Sequence, residues 1–327
     1  MVSSGTIFPG MHATRVVIDT DPGIDDVAAI LMGLGSQELQ VEALTTVFGN
    51  ASVTQSTVNA LRLLEAAGRS DIPVYQGVGK CYNFTEPAYA ALVHGTDGFG
   101  DVAWPLPTTP PQRRHAVFEF IDRVLGAPGE ITVVALGRLT NLALAISVEP
   151  EVAIALRSLI VMGGAITVPG NITPVASANL WGDPEAADVV YRSGAKIVQI
   201  GLDVCDQVEI SAIQQQRVWQ ANTAATRLLQ ALTPCLQASY RQRGLLRHPD
   251  SIRYNDVPAM AYVVDPSLFT CRDVHVRIET QGRLTRGQSV ADLRGQGSAP
   301  SNVTVAFGVD AVRLTALWVE RVGNLRC

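Results

Sequence analysis

The stretch VVIDTDPGIDD, residues 16 to 26, places Asp19, Asp21, Asp25 and Asp26 within eight positions, and no lysine or arginine lies between Arg15 and Arg62. Carboxylates held this close cannot all stay ionised unless a cation joins them or some take up protons. Three chemistries suit the pattern. In the first, the aspartates are solvated and cap a helix. Asp25 and Asp26 stand where an apolar helical run begins, and carboxylates gain there from the helix dipole. That accounts for two of the four and leaves Asp19 and Asp21, which flank Thr20 at the end of a buried strand. In the second, Asp19-Thr20-Asp21 is the Asp-x-Asp of a haloacid-dehalogenase-type phosphatase, with GDPEAAD (182–188) faintly echoing its metal-binding motif. Such an enzyme needs a lysine between the two motifs. Only Lys80 is available, and Pro22-Gly23 replaces the expected residues. In the third, a hard cation is bound by oxygen. Calcium accepts mono- and bidentate carboxylates, carbonyls and waters in a roomy shell. Asp21 and Asp26 reach one ion across the Pro22-Gly23 turn, and Asp256, at the start of an apolar helix in YNDVPAMAYVVDP (254–266), is a candidate for a further ligand.

The surrounding pattern must position these groups. Arg15 to Asp19 is a short β-branched run ending at the aspartates, and DDVAAILMGLG follows with helical spacing to Gly33 or Gly35. VEALTTVFGN (41–50) reads as the next strand, and residues 51–68 as a helix closed by Gly68. Later strands are expected at 131–137, 158–164 and 196–201, with helices at 115–126, 139–147, 183–193 and 222–239. Strands alternating with helices predict an open α/β sheet. Each strand runs into a Gly, Asn or Asp, and open parallel sheets bind ligands at the carboxyl ends of their strands. Residues 79–112 and 241–254 fit no regular element. Long irregular segments in a compact domain are usually lids or binding loops.

The chain of 327 residues is 47% hydrophobic and 17% charged, enough apolar material for one large core. A net charge of −5, only two lysines (Lys80, Lys196) and scattered arginines argue against a nucleic-acid surface. The five cysteines form no Cys-x-x-Cys pair and no secretory framework, so free thiols in a reducing, cytoplasmic compartment are expected. No apolar run reaches membrane-spanning length. Residues 1–14 read as a flexible arm preceding a single domain, 15–327.

DTDPGIDD (19–26) resembles the N-terminal signature of the inosine-uridine-preferring nucleoside hydrolase family. TTVFGN (45–50), HGTDGFGD (94–101), GRLTNLALA (137–145), VMGGA (161–165), GNITPVASANLWGDPEAA (170–187), GLDV (201–204) and NDVPAMAYVVDP (255–266) resemble its further segments in the same order. The resemblance implies a Rossmann-like open, mostly parallel sheet flanked by helices, one bound calcium, and hydrolysis of ribonucleosides to ribose and a free base. It implies no redox cofactor, and a homodimer or homotetramer. By position, Asp21 would bind calcium and act as general base toward a water on that ion. Asp26 would be a bidentate ligand, Asp256 a further one, and Leu136 would offer its backbone carbonyl. Asp25 and Asn179 would hold the ribose hydroxyls, Asn50 would help fix the calcium site, Asn171 would meet the 5′ end of the sugar, and Asp19 would orient its neighbours from behind.

Two positions depart from the family pattern. Ser177 stands where many members carry a glutamate at the 5′-hydroxyl subsite, which leaves room for a 5′ substituent or weakens ribose binding. Asn255 stands where inosine-uridine-preferring members carry a histidine that protonates the departing base. Asparagine can hydrogen-bond a base but cannot deliver a proton. Two functions from different classes therefore remain open: a calcium-dependent ribonucleoside hydrolase, and a non-catalytic or altered ribosyl-ligand binder that retains the metal. His94 is a candidate base contact. Phe99, Trp181 and Tyr240 are candidate stacking residues, with packing favoured for Trp181. His248 is a candidate replacement acid, and Cys205 and Asp206 are expected to be structural.

Overall fold

The computed structural model describes residues 13–295 and 299–325, so most of the expected arm (1–14) lies outside the described residues. Strand β1 (Thr14–Thr20) already begins at Thr14. It is followed by β2 (Leu39–Thr46), β3 (Val74–Gln76), β4 (Ile131–Ala135), β5 (Ser158–Met162), β6 (Ile197–Ile200), β7 (Phe269–Val274), β8 (Val276–Ile278), β9 (Ser289–Ala291) and β10 (Val303–Val309). Eight of these make one sheet in the order β3-β2-β1-β4-β5-β6-β10-β7. All neighbours are parallel except β7, which runs antiparallel to β10, while β8 and β9 pair separately. This is an α/β architecture with an open, mostly parallel, Rossmann-like sheet.

Alternation along β1 shows how the sheet is covered on both faces. Val16 and Ile18 join one apolar cluster, with the helices Ile24–Leu34, Ala224–Gln242, Val257–Val264 and Ala311–Gly323. Val17 joins the other, with the helices Ala116–Gly126, Thr140–Val148 and Pro184–Tyr191. A strand buried on both faces reads as a continuous apolar run, as β1 and β4 do. The polar residues are therefore pushed beyond the strand ends, and parallel strands put those ends on one rim.

Most expected elements form, with shifts that have identifiable causes. The strand expected at 41–50 stops at Thr46. Val47 N still donates to Thr20 O (3.1 Å), but Asn50 N donates to the Asp21 carboxylate (2.8 Å) instead of to a strand neighbour. Residues 79–112 contain the short helix Ala91–His94, and Asn59 Nδ2 clamps the following loop to the Pro22-Gly23 turn by donating to Asp97 O (2.7 Å) and Pro22 O (3.2 Å). Residues 241–254 are anchored on Glu209, which accepts from Arg247 N (2.9 Å), Ser251 Oγ (2.8 Å) and Arg253 Nε (3.0 Å). Among the described residues no helix is long and apolar enough to cross a membrane.

The helix Ile24–Leu34, which carries Asp25 and Asp26, is held from behind by Trp318. That side chain is fully buried, donates Nε1–H to Ala28 O (3.2 Å) and packs on Tyr254 with ring centroids 5.7 Å apart. Trp318→Ala should therefore cost about 3–5 kcal/mol. Urea unfolding checks this: the midpoint should fall with an unchanged slope.

Candidate active site

The four aspartates leave the end of β1 at two depths. Asp19 is fully buried. Its Oδ1 accepts from Thr45 Oγ1 (2.7 Å) and Asn141 Nδ2 (2.8 Å), and its Oδ2 has no partner among the described residues. Burial lifts this carboxyl to about 7 against the help of those two donors. Asn141 also donates to Thr46 O (3.0 Å) and accepts from Val78 N (2.9 Å), so Asp19 sits behind the site as part of the joint between β1, β2 and β3.

Asp21 follows the last residue of β1. Its Oδ2 accepts from Asn50 N (2.8 Å), and Asn50 Nδ2 donates both to Asp21 O (3.1 Å) and to Asp26 Oδ2 (3.1 Å). Asp26 further accepts from Thr20 Oγ1 (2.5 Å) and from Gly23 N (2.9 Å). The last contact makes Asp26 a cap on the helix Ile24–Leu34 as well as a member of the cluster. Pro22-Gly23 is needed for this geometry, because a Cβ at Gly23 would lie 2.5 Å from Asn50 Nδ2 and 2.8 Å from His94 Nδ1.

Asp25, Asp26 and Asp256 each present an oxygen, all within 4.8 Å of one another, and all three side chains are buried. Asp256 precedes the helix Val257–Val264 and crosses to the β1 end from the far part of the chain. Burial raises Asp25 to about 6; it also raises Asp21, Asp26 and Asp256, and neighbouring carboxylates push these three further. The donor set is all carboxylate, with separations that fit oxygens at about 2.3–2.6 Å around one hard cation. No histidine or cysteine is in the trio, which disfavours zinc. Asp21 is not in the trio: its carboxylate is turned toward Asn50 N and lies against Gly49 and Gly137. The Leu136 carbonyl accepts from Asn179 Nδ2 at 2.5 Å, which fixes its direction and leaves its second lone pair free.

One cation was missed in the sequence. Arg138, just past β4, is buried, donates to Ala88 O (2.5 Å) and lies 4.8 Å from the centroid of the Phe48 ring. Its charge opposes the upward push on Asp21. The signal was the empty interval from Arg15 to Arg62, which required any relief to come from distant sequence.

A cavity of about 430 Å³ opens above the trio. Asp25, Asn50, His94, Leu136, Asn171, Ser177, Asn179, Asn255 and Asp256 all line it, and both irregular segments contribute to its wall. Within it, Ser177 Oγ accepts from Gly164 N (2.7 Å), and Asn171 Oδ1 accepts from Ala178 N (2.8 Å). His94 Nδ1 accepts from Ile24 N (3.2 Å), which leaves the ring proton on Nε2, 3.8 Å from Asp25 Oδ1. Burial lowers His94 to about 4, so it is neutral beside Asp25. Asn255 Nδ2 donates to Tyr240 Oη (3.0 Å), and Asn255 Oδ1 has no partner among the described residues. Of the candidate stacking residues, Tyr240 lines the cavity, Phe99 is in the apolar core and Trp181 does not reach the cavity. His248 is exposed and outside the cavity wall. Cys205 Sγ donates to Asn255 O (3.2 Å), a structural contact, while Asp206 lines the cavity and pairs with Arg253 (3.1 Å).

The phosphatase reading fails on geometry. Asp183, in its presumed second motif, accepts from Tyr82 N (2.7 Å), Thr140 Oγ1 (2.6 Å) and Ala186 N (3.3 Å), capping the helix Pro184–Tyr191. Lys80 is exposed and pairs with Glu86 (2.8 Å).

Two outcomes follow from this geometry. A Cβ at Gly49 would stand 1.7 Å from Asp21 Oδ2, so Gly49→Ala must displace that carboxylate. Turnover should fall by about 10²-fold with far-UV circular dichroism unchanged. Without a cation, Asp19 and Asp25 keep protons up to about 7 and about 6, against 3.8 for the ordinary group. Between those values the native state holds more protons than the unfolded state, so stability falls as pH rises through that window. Chelated protein should lose melting temperature from about pH 4 to about pH 7, and calcium should raise it more at pH 7 than at pH 5. An equal calcium increment at both pH values would show that the cation does not compete with these protons.

Comparison with known proteins agrees with this arrangement. Residues 16–316 match the family described as "Inosine-uridine preferring nucleoside hydrolase". The chain is 38% identical to "Uridine nucleosidase 1" of Arabidopsis thaliana, over 94% of this chain and 92% of that one. It is also 38% identical to a "Non-specific ribonucleoside hydrolase" of Escherichia coli, over 94% and 97%. A solved plant nucleoside hydrolase superposes with a TM-score of 0.90 at 37% identity, covering 96% of this chain and 100% of that one. An aspartate cluster at the end of β1, a sheet of this order and a match over nearly the whole length together place the chain in the inosine-uridine-preferring nucleoside hydrolase family.

Proposed function

We propose that this protein hydrolyses the N-glycosidic bond of ribonucleosides, releasing ribose and a free base, with one calcium ion held by Asp21, Asp26, Asp256 and the Leu136 carbonyl. The observation that carries the reading is the buried cluster of Asp25, Asp26 and Asp256, of which Asp25 and Asp256 line a cavity of about 430 Å³; Asp21 would join Asp26 and Asp256 on the ion by turning from Asn50 N. When bound, the cation would lower the pKa of a water and gather the sugar diol.

The chain's own residues supply the rest. Asp25, beside His94, and Asn179, anchored on the Leu136 and Met162 carbonyls, hold ribose hydroxyls. Asn50 fixes Asp21 relative to Asp26, and Asn171 and Ser177 stand at the 5′ end of the sugar. Asp21 takes the proton of the attacking water. Breaking the bond at C1′ builds an oxocarbenium-like sugar, and buried carboxylates favour that charge more in the transition state than in the ground state. Asn255 faces the base. The named relatives are hydrolases, which goes against a non-catalytic binder. The same proposal takes 15–327 as one domain and the assembly as a homodimer or homotetramer. It places the protein in the cytoplasm, in keeping with four free cysteines among the described residues.

Ribose release from a nucleoside panel tests the reading. Activity should vanish on chelation and return with calcium. Asp21→Ala should lower turnover by at least about 10²-fold with the fold intact, the low end for losing a general base. Retained turnover in that variant would remove Asp21 from the role of base.

A further inference from the structure

The departing base leaves with an electron pair on its ring nitrogen, and the groups on its wall of the cavity protonate it poorly: Tyr240, whose Oη accepts from Asn255, is a phenol that burial makes a weaker acid still. Asn255 is an amide. His94 is occupied on Nδ1 by Ile24 N and faces Asp25 with Nε2. His248 lies outside the cavity wall. Two arginines do line the cavity. Arg253 is committed, with Nη1 on Asp206 (3.1 Å) and Nη2 on Glu209 (2.9 Å). Arg243 is different: its backbone N–H donates to Ser239 O, and its exposed side chain has no hydrogen-bond or ion-pair partner among the described residues. It caps the helix Ala224–Gln242, three positions after Tyr240, which places the two residues on one side of the helix end, and both line the cavity together with Asn255. A free guanidinium is a permanent cation with a fork of donors suited to carbonyl and anionic ring edges.

We propose that Arg243 replaces the missing acid electrostatically, by stabilising the negative charge that collects on the departing base, and so selects bases that present carbonyl oxygens beside the scissile nitrogen, as uracil does. In this step the C1′–N bond breaks with its electron pair going to the ring nitrogen. The water oxygen bonds C1′ and its proton goes to Asp21. The base anion, paired with Arg243, takes a proton from solvent as it leaves, and Asp21 returns its proton to solvent. The inference rests on the hydrolase reading above.

The test compares uridine with p-nitrophenyl riboside, whose leaving group needs little charge relief, in wild type, Arg243→Gln and Arg243→Lys. Arg243→Gln should lower kcat/KM for uridine by about 10²-fold and change p-nitrophenyl riboside by less than about 3-fold. Arg243→Lys, which keeps the charge, should recover part of the uridine rate. Adding Asn255→His, which supplies an acid, should shrink the uridine penalty of Arg243→Gln. The melting temperature should not move, because the side chain is exposed and has no partner to lose. An equal loss on both substrates, or no loss on uridine, overturns the role of Arg243 while leaving hydrolysis standing. Absence of wild-type activity on both substrates would instead overturn the hydrolase reading itself.

Discussion

The site is organised by the mutual repulsion of buried carboxylates. Asp21, Asp25, Asp26 and Asp256 converge from the β1 end and from a helix start more than two hundred residues later, and all are nearly inaccessible to solvent. Removing an isolated carboxylate from water without a partner is so costly that the group normally takes up a proton instead. Arg138 gives relief on the Asp21 side, and hydrogen bonds from Thr20, Gly23 and Asn50 give more. The donors from Thr20, Gly23 and Asn50 that reach the trio bond to Asp26 and not to Asp25 or Asp256, and a hard cation fits the oxygens of the three.

Much of the fold can be read as support for that arrangement. Parallel strands buried on both faces push polar groups to one rim. There Asn141 ties Asp19 to the β2 end, and Asn50 bridges Asp21 to Asp26. Gly49 and Gly137 admit the Asp21 carboxylate at distances no Cβ would allow. His94 and the loop after it close over the Pro22-Gly23 turn, so a segment without regular structure positions Asp25. Because folding fixes these groups beforehand, they need no reorganisation when charge develops against them.

The sequence disclosed the parts of this design that obey local rules. The β1–turn–helix unit, the apolar strands 131–137 and 158–164 and the helix 222–239 follow hydrophobic period, and Asp256 was visible because it opens an apolar helix. What stayed hidden depends on distant partners. β7 and β10 pair across an antiparallel edge that no local pattern marks. The end of β2 at Thr46 is set by Asn50 turning toward Asp21. Arg138 could not be paired with Asp21 until β4 was placed beside β1. The fate of Asn171 and Ser177, each bound to a backbone amide of its own wall, likewise required the folded loop.

The cavity wall built by Tyr240, Asn255 and Arg243 is less constrained than the floor. Carboxylates, amides and glycines lock the floor, whereas on that wall Asn255 Oδ1 and the Arg243 guanidinium have no partner among the described residues. That asymmetry suits a fixed reaction on a variable leaving group, but it has force only if the floor holds its cation. A crystal structure of the protein grown with calcium measures that directly. One ion per chain is expected, with oxygens of Asp21, Asp26, Asp256 and the Leu136 carbonyl at about 2.3–2.6 Å. An empty floor in calcium-containing crystals, or an ion with octahedral geometry at about 2.0–2.1 Å, would contradict it.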